Sequence, residues 1–286
     1  RSTLFPYTTL FRSSYGSTSH HPNDLFALKW MDSTYETTLL DVEWNPTKTG
    51  LLFPTAIIEP VDLDGAVTSR VTLNNLTYIK NLELGIGDTI TVYRSNMVIP
   101  CIDENLTRSN NFSIPERCPV SGSPTKILKE NDSEVLVCTN PQCKGRCLGK
   151  LTHFVSKKGM DITGLSEQTL DSLTKLCKIK TFADIYRIKN YGDFLKTIPG
   201  FGKKSVDKLL ASIEASRHNV DLAHFICALS IPNVGSVQAR ELAKAFKTWE
   251  EFYMACTGDY DFRRLVGFGE VLNSNLHNYF SVSNDI

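Results

Sequence analysis

Two groups of residues in this 286-residue chain have the types and spacing to do chemistry. The first is a run of cysteines. It reads Cys118-Pro119-Val120-Ser121-Gly122, then Cys138-Thr139-Asn140-Pro141-Gln142-Cys143, then Cys147. Four thiolates around a tetrahedral ion make a structural zinc site. A ribbon-type site would place a second cysteine three residues after Cys118, but position 121 is serine. A serine hydroxyl loses its proton only at high pH and is a poor zinc ligand. Cys147 lies four residues beyond Cys143 and can supply the fourth thiolate. The expected metal ligands are therefore Cys118, Cys138, Cys143 and Cys147. The alternative is a degenerate finger that has lost its metal and keeps its thiols free. Cys101, Cys177, Cys227 and Cys256 lie in apolar surroundings and read as core residues.

The second group is a glycine turn that recurs about every 35 residues, the kind of internal period that marks a repeat architecture. Its copies are Thr163-Gly164-Leu165-Ser166, Pro199-Gly200-Phe201-Gly202, Pro232-Asn233-Val234-Gly235 and Val266-Gly267-Phe268-Gly269. Glycine lets peptide N–H groups face outward together. At a helix start those N–H groups lack partners and favour an anion. This is the pattern of the helix-hairpin-helix motif, which grips a nucleic-acid backbone through main-chain amides. The bland reading is a set of tight turns in a plain helical array. The expected contacts are Gly200, Gly202, Gly235, Gly267 and Gly269, with Lys203 and Lys204 behind the second turn. Phe201 and Phe268 read as plugs of their hairpins.

These residues need elements to hold them. From about Tyr35 to Ile102 the chain alternates in short apolar runs, separated by turn signals such as Asn45-Pro46, Asp64-Gly65 and Gly85-Ile86-Gly87-Asp88. About five strands predict a small closed barrel, best matched by an OB-fold. Residues 103–117 read as a polar linker. From about Leu151 onward, helical segments alternate with the glycine turns. The fold class is multidomain α+β: an OB-fold barrel, a Cys-rich zinc finger and an all-α helix-hairpin-helix array. The 41% apolar content suffices for real cores, and no stretch is long enough for a membrane span. No signal peptide is recognisable, so the eight cysteines read as reduced thiols or metal ligands. Net charge is zero, which argues against a globally basic coat but permits a local patch at Lys144, Arg146, Lys150, Lys157 and Lys158. Residues 1–13 resemble a translated sequencing-adapter artefact and are set aside.

The order barrel, cysteine finger, glycine turns resembles the bacterial NAD-dependent DNA ligases. Thr55 to Val61 with Ser69 to Asn75, and Ile86 to Arg94 with Val98-Ile99-Pro100, are similar to that family's barrel. Cys118-Pro119 with Cys138 to Pro141 resembles its finger, and His153 to Ser156 with Met160-Asp161-Ile162 the start of its hairpin domain. Ser17 to Pro22 and Ala27-Leu28-Lys29-Trp30 resemble the tail of its adenylation domain, which makes Lys29 the expected catalytic contact to the AMP phosphate. The implied domains are 14–34 (adenylation tail), 35–113 (OB-fold), 114–148 (zinc finger) and 149–286 (helix-hairpin-helix).

The resemblance implies a parent enzyme that seals nicks in duplex DNA during replication and repair. A lysine takes AMP from NAD, AMP passes to the 5′-phosphate, the 3′-hydroxyl displaces it, and Mg2+ assists. That nucleophile sits in a Lys-x-Asp-Gly motif, which this chain lacks; Asp62-Leu63-Asp64-Gly65 begins with Asp. The chain is thus expected to be the DNA-binding part, inactive alone, without the family's BRCT domain. Arg70 and Arg94 are the expected barrel contacts to the DNA backbone. Zn2+ is an expected cofactor, nicked double-stranded DNA the partner, a monomer the state, and the bacterial cytoplasm near the nucleoid the location. The competing classes are a stand-alone DNA-binding scaffold and a repair nuclease subunit. No acidic cluster near the hairpins supports the nuclease, and a scaffold has no need of an adenylation tail.

Overall fold

The computed structural model describes residues 33–130, 132–197 and 201–282. Lys29, Gly200 and the segment 1–13 lie outside the described residues.

The first half is an antiparallel sheet. Strand β1 (Tyr35–Pro46) buries Thr37 and Leu39, then Val42 and Trp44. The two-residue alternation changes phase between Leu39 and Asp41, where the register to β2 shifts. A bulge inserts one residue there, so that Leu39 on one side of it and Val42 and Trp44 on the other reach the same core. Strand β2 (Leu51–Leu63) meets β3 (Ala66–Thr72) through Asp64 and Gly65, both at positive φ (51° and 87°), as a two-residue hairpin turn demands. Helix α1 (Leu76–Asn81) follows, capped by Asn75, and then β4 (Thr89–Ser95) and β5 (Ile99–Asn105).

With β6 (Thr125–Glu130) and β7 (Ser133–Cys138), the strands run β5-β4-β1-β2-β7-β6, with β3 also on β2, so the sheet is open and the expected closed barrel is not formed. Strands β3 and β5 approach each other without a hydrogen-bonded ladder. Here α1 supplies bonds instead: Tyr78 Oη donates to the Ile102 carbonyl of β5 (2.7 Å).

Strands β6 and β7 form the hairpin of the cysteine segment. They do not stand apart. Leu51 and Leu52 of β2 pair with Val137 and Leu136 of β7, and Cys118, Cys138 and Cys143 belong to the same hydrophobic core as Leu39, Ile58 and Val92.

The second half is helical: α2 (Lys144–Val155), α3 (Glu167–Cys177), α4 (Phe182–Tyr186), α5 (Gly192–Leu195), α6 (Lys203–Asn219), α7 (Leu222–Ala228), α8 (Ser236–Ala245), α9 (Trp249–Thr257) and α10 (Glu270–Val282). Its own core is rich in aromatics, with Phe154 stacked on Phe182 at 4.4 Å. Helix α2 joins the halves. A Cβ on Gly149 would stand 2.9 Å from the Lys48 nitrogen, and one on Gly145 would collide with the Pro46 ring. Two glycines one turn apart let the β1–β2 turn lie against the helix.

Candidate nucleic-acid interface and metal centre

Among the described residues, the glycine turns set apolar side chains inward and leave the glycines outside. Leu165, Val234 and Phe268 are buried and Phe201 packs on the helical core, while Gly164, Gly202, Gly235, Gly267 and Gly269 are exposed. The turns differ at the helix that follows. At the first, Ser166 Oγ accepts from the Thr169 N–H (3.2 Å), so a side chain fills the place an anion would take. Gly202 caps α6 with no side-chain acceptor; Gly235 caps α8, but its own N–H donates to Gln238 Oε1 (3.2 Å). A Cβ at Gly202 or Gly269 would meet nothing within 4 Å, and neither residue has positive φ. Nothing within the described residues requires glycine at those two positions.

Lys203 and Lys204 are exposed in the first turn of α6, where no acidic residue stands. The two arginines are not brought together. Arg70 lies opposite in alternation to buried Val71 and makes a paired ion contact with Glu43 of β1. Arg94 shares the alternation of buried Ile90 and Val92, and its Nε is buried with no hydrogen-bond partner. The patch at 144–158 is partly neutralised, since Lys144 pairs with Asp171 at 3.4 Å.

Three of the four expected cysteine ligands converge. The Sγ atoms of Cys118, Cys138 and Cys143 lie within 4.8 Å of one another, all buried, with Cys118 and Cys143 at 3.9 Å. Two tight turns place them. In one, the Cys118 N–H donates to the Ser123 carbonyl and the Gly122 N–H to the Cys118 carbonyl, both at 2.8 Å, with Gly122 at φ 69°. In the other, the Cys143 N–H donates to the Asn140 carbonyl (3.1 Å), and Cys143 begins α2.

Cys147 is not in this group. It lies one turn into α2 and lines a cavity of about 530 Å3 with Leu148, Ile179 and Phe182. The residue that does face the thiols is Ser121, whose Oγ stands 3.3 Å from Cys138 Sγ. Its spacing after Cys118 was the signal for it. Burial opposes ionisation of Cys118, but hydrogen bonds from Ser121, from its N–H and from the Val120 N–H outweigh burial and hold the thiol below its ordinary range. Burial pushes Cys138 up. Of the cysteines expected in cores, Cys177, Cys227 and Cys256 are buried and Cys101 is half-buried.

His153, by sequence a packing residue at the finger–helix junction, lies at the seam between the halves. His153 Nδ1 lies 3.0 Å from Ser230 Oγ, and burial together with the charges of Lys48 and Lys158 holds the imidazole below its usual pKa. Among the described residues, no helix is long and apolar enough to cross a membrane.

Comparison with known proteins accords with this arrangement. Residues 36–113 match the family model of the NAD-dependent DNA ligase OB-fold domain. A DNA ligase of Lachnoclostridium phytofermentans is 44% identical over 243 residues, covering 85% of this chain and 37% of that protein. One of Ruminiclostridium cellulolyticum is 41% identical over 275 residues, 95% of this chain and 41% of that protein. One of Caldicellulosiruptor saccharolyticus is 35% identical over 270 residues, 93% of this chain and 39% of that protein. The chain thus spans about two fifths of the length of these curated relatives. By its sheet, by the matched domain and by these relatives, the chain belongs to the NAD-dependent DNA ligases, of which it represents a portion.

Proposed function

We propose that this portion holds nicked double-stranded DNA for an enzyme that seals the nick. The observation that carries the reading is the open space at Gly202 and Gly269. A glycine that neither folding nor packing demands is explained by close approach of something outside the chain. At a helix start with no side-chain cap, a phosphate suits the free N–H groups. Gly200, Gly202, Gly235, Gly267 and Gly269 then hold the backbone, and Lys203 and Lys204 add charge. Arg70 and Arg94 contribute from the sheet, Arg94 by turning toward a phosphate and Arg70 by exchanging Glu43 for one. Such contacts position the duplex and read no sequence.

The parent enzyme draws its adenylyl group from NAD, with Mg2+ assisting. Lys29 is proposed to contact the AMP phosphate. The proposed domain limits are adenylation tail 14–34, OB-fold 35–113, finger 114–148 and helix-hairpin-helix 149–286, of which residues 36–113 match a family model. The protein acts as a monomer in the cytoplasm, near the nucleoid. The cysteine group holds Zn2+. Sulfurs around tetrahedral zinc stand about 3.8 Å apart, and Cys118 and Cys143 already lie at 3.9 Å. The ion supplies no reaction step; it ties the Cys118 turn and the start of α2 to the β6–β7 hairpin.

The test is binding of a nicked duplex by fluorescence anisotropy. Gly202→Asp places a good helix cap and a negative charge where the phosphate would sit. It is expected to keep or raise the melting temperature and to weaken binding about tenfold, or about 1.4 kcal/mol. Unchanged affinity in that variant refutes the assignment of this turn.

A further inference from the structure

We infer that the metal centre of this chain is a three-thiolate site whose fourth corner belongs to oxygen, with Ser121 at that corner and Cys147 outside the ligand set. The inference rests on the reading that the cysteine group binds zinc. It concerns which atoms complete the site and what that does to the ion.

The geometry is specific. Cys118, Cys138 and Cys143 bring three buried sulfurs within 4.8 Å of one another. Ser121 stands against two of them, 3.3 Å from Cys138 Sγ and in hydrogen-bond contact with the Cys118 thiol. The turn that carries it is fully formed. The Cys118–Ser123 and Gly122–Cys118 backbone bonds are in place, and the Ser123 N–H reaches Ser121 Oγ at 3.4 Å. A side chain at position 121 is therefore delivered to the fourth corner whatever its chemistry. Cys147 is held elsewhere. Its N–H donates to the Cys143 carbonyl (2.9 Å), and its side chain lines the cavity beside Leu148 and Phe182. Its sulfur is not among the three that converge.

Three thiolates leave a divalent ion with one net negative charge, where four would leave two. A neutral hydroxyl holds zinc far less firmly than a thiolate, so a water molecule or a small anion can share the fourth position. This is the coordination of an exchangeable ion, unlike a closed four-sulfur structural site. Small donors such as imidazole or cyanide are the chemical class that competes with the hydroxyl for that corner.

Cobalt(II) substitution of the full chain tests this without any ligase assay. Thiolate-to-cobalt charge transfer in the near ultraviolet grows with the number of sulfurs bound. Cys143→Ser is expected to lose about a third of the band and Ser121→Cys to gain about a third, as for three and then four sulfurs. Cys147→Ser is expected to leave it unchanged. Added imidazole should shift the visible bands of the native chain and not those of Ser121→Cys, which should also release metal to a chelator more slowly. If Cys147→Ser loses as much of the band as Cys143→Ser, Cys147 is a ligand and the inference fails while the metal reading stands. If no thiolate band forms with any variant, the metal reading itself fails.

Discussion

The contact of Glu43 with Arg70 offers a test of the proposed binding surface. The carboxylate holds the guanidinium on the outer face of the sheet, with both side chains about half exposed. Exposed pairs of this kind are worth little to stability. Releasing Arg70 by Glu43→Gln should therefore leave the fold intact and strengthen binding to nicked duplex several-fold at low salt. The gain should fade as salt rises, because freed arginine acts through phosphate charge. An anisotropy series across salt concentrations checks this; equal affinities at low salt would remove Arg70 from the interface. Removing Lys203 and Lys204 together should reduce the slope of log K against log salt by about two. The residue types at these sites were legible in the chain. Their surroundings were not, because Glu43 and Arg70 meet only when β1, β2 and β3 are assembled, whereas position 121 was already marked by its spacing after Cys118.

Helix α2 is the element on which the two halves bear. Its Gly145 and Gly149 admit the backbone of the β1–β2 turn, so Gly149→Ala must push Lys48 away. Crowding of this kind costs about 1–3 kcal/mol, measurable as a lower denaturation midpoint in urea. Lys48 and Lys158 also bear on His153 at this seam. The folded imidazole stays neutral where the unfolded one, with a pKa near 6.5, takes up a proton. The native state then binds fewer protons, and stability falls as pH drops below about 6.5 toward the lower folded pKa. His153→Gln should flatten that part of the urea-stability profile; an unchanged slope would show that His153 does not cause it. Local pattern revealed much of this level: the five strands, the Asp64-Gly65 turn and the buried Phe268 are short-range consequences of alternation and glycine. The open sheet was not legible, since closure depends on whether β3 and β5, distant in sequence, exchange ladder bonds. Nor was the bulge in β1, which simple alternation conceals.

At the scale of the molecule, the function proposed for this chain is grip and not bond-making. The chain holds glycine turns and lysines suited to a duplex but no Lys-x-Asp-Gly. Incubated with radiolabelled NAD, it should bind nicked DNA and take up no label; a labelled chain would show that another lysine serves as the nucleophile. The pairing of Leu51 and Leu52 with Val137 and Leu136 has a further consequence, for synthesis. A chain emerging from the ribosome folds from its N-terminal end. The start of β2 then waits with an unpaired edge until β7 has left the exit tunnel, and unpaired edges invite other chains. Translational pausing after β2 has emerged but before β7 has left the tunnel should therefore raise the aggregated fraction, whereas pausing once β7 is outside should not.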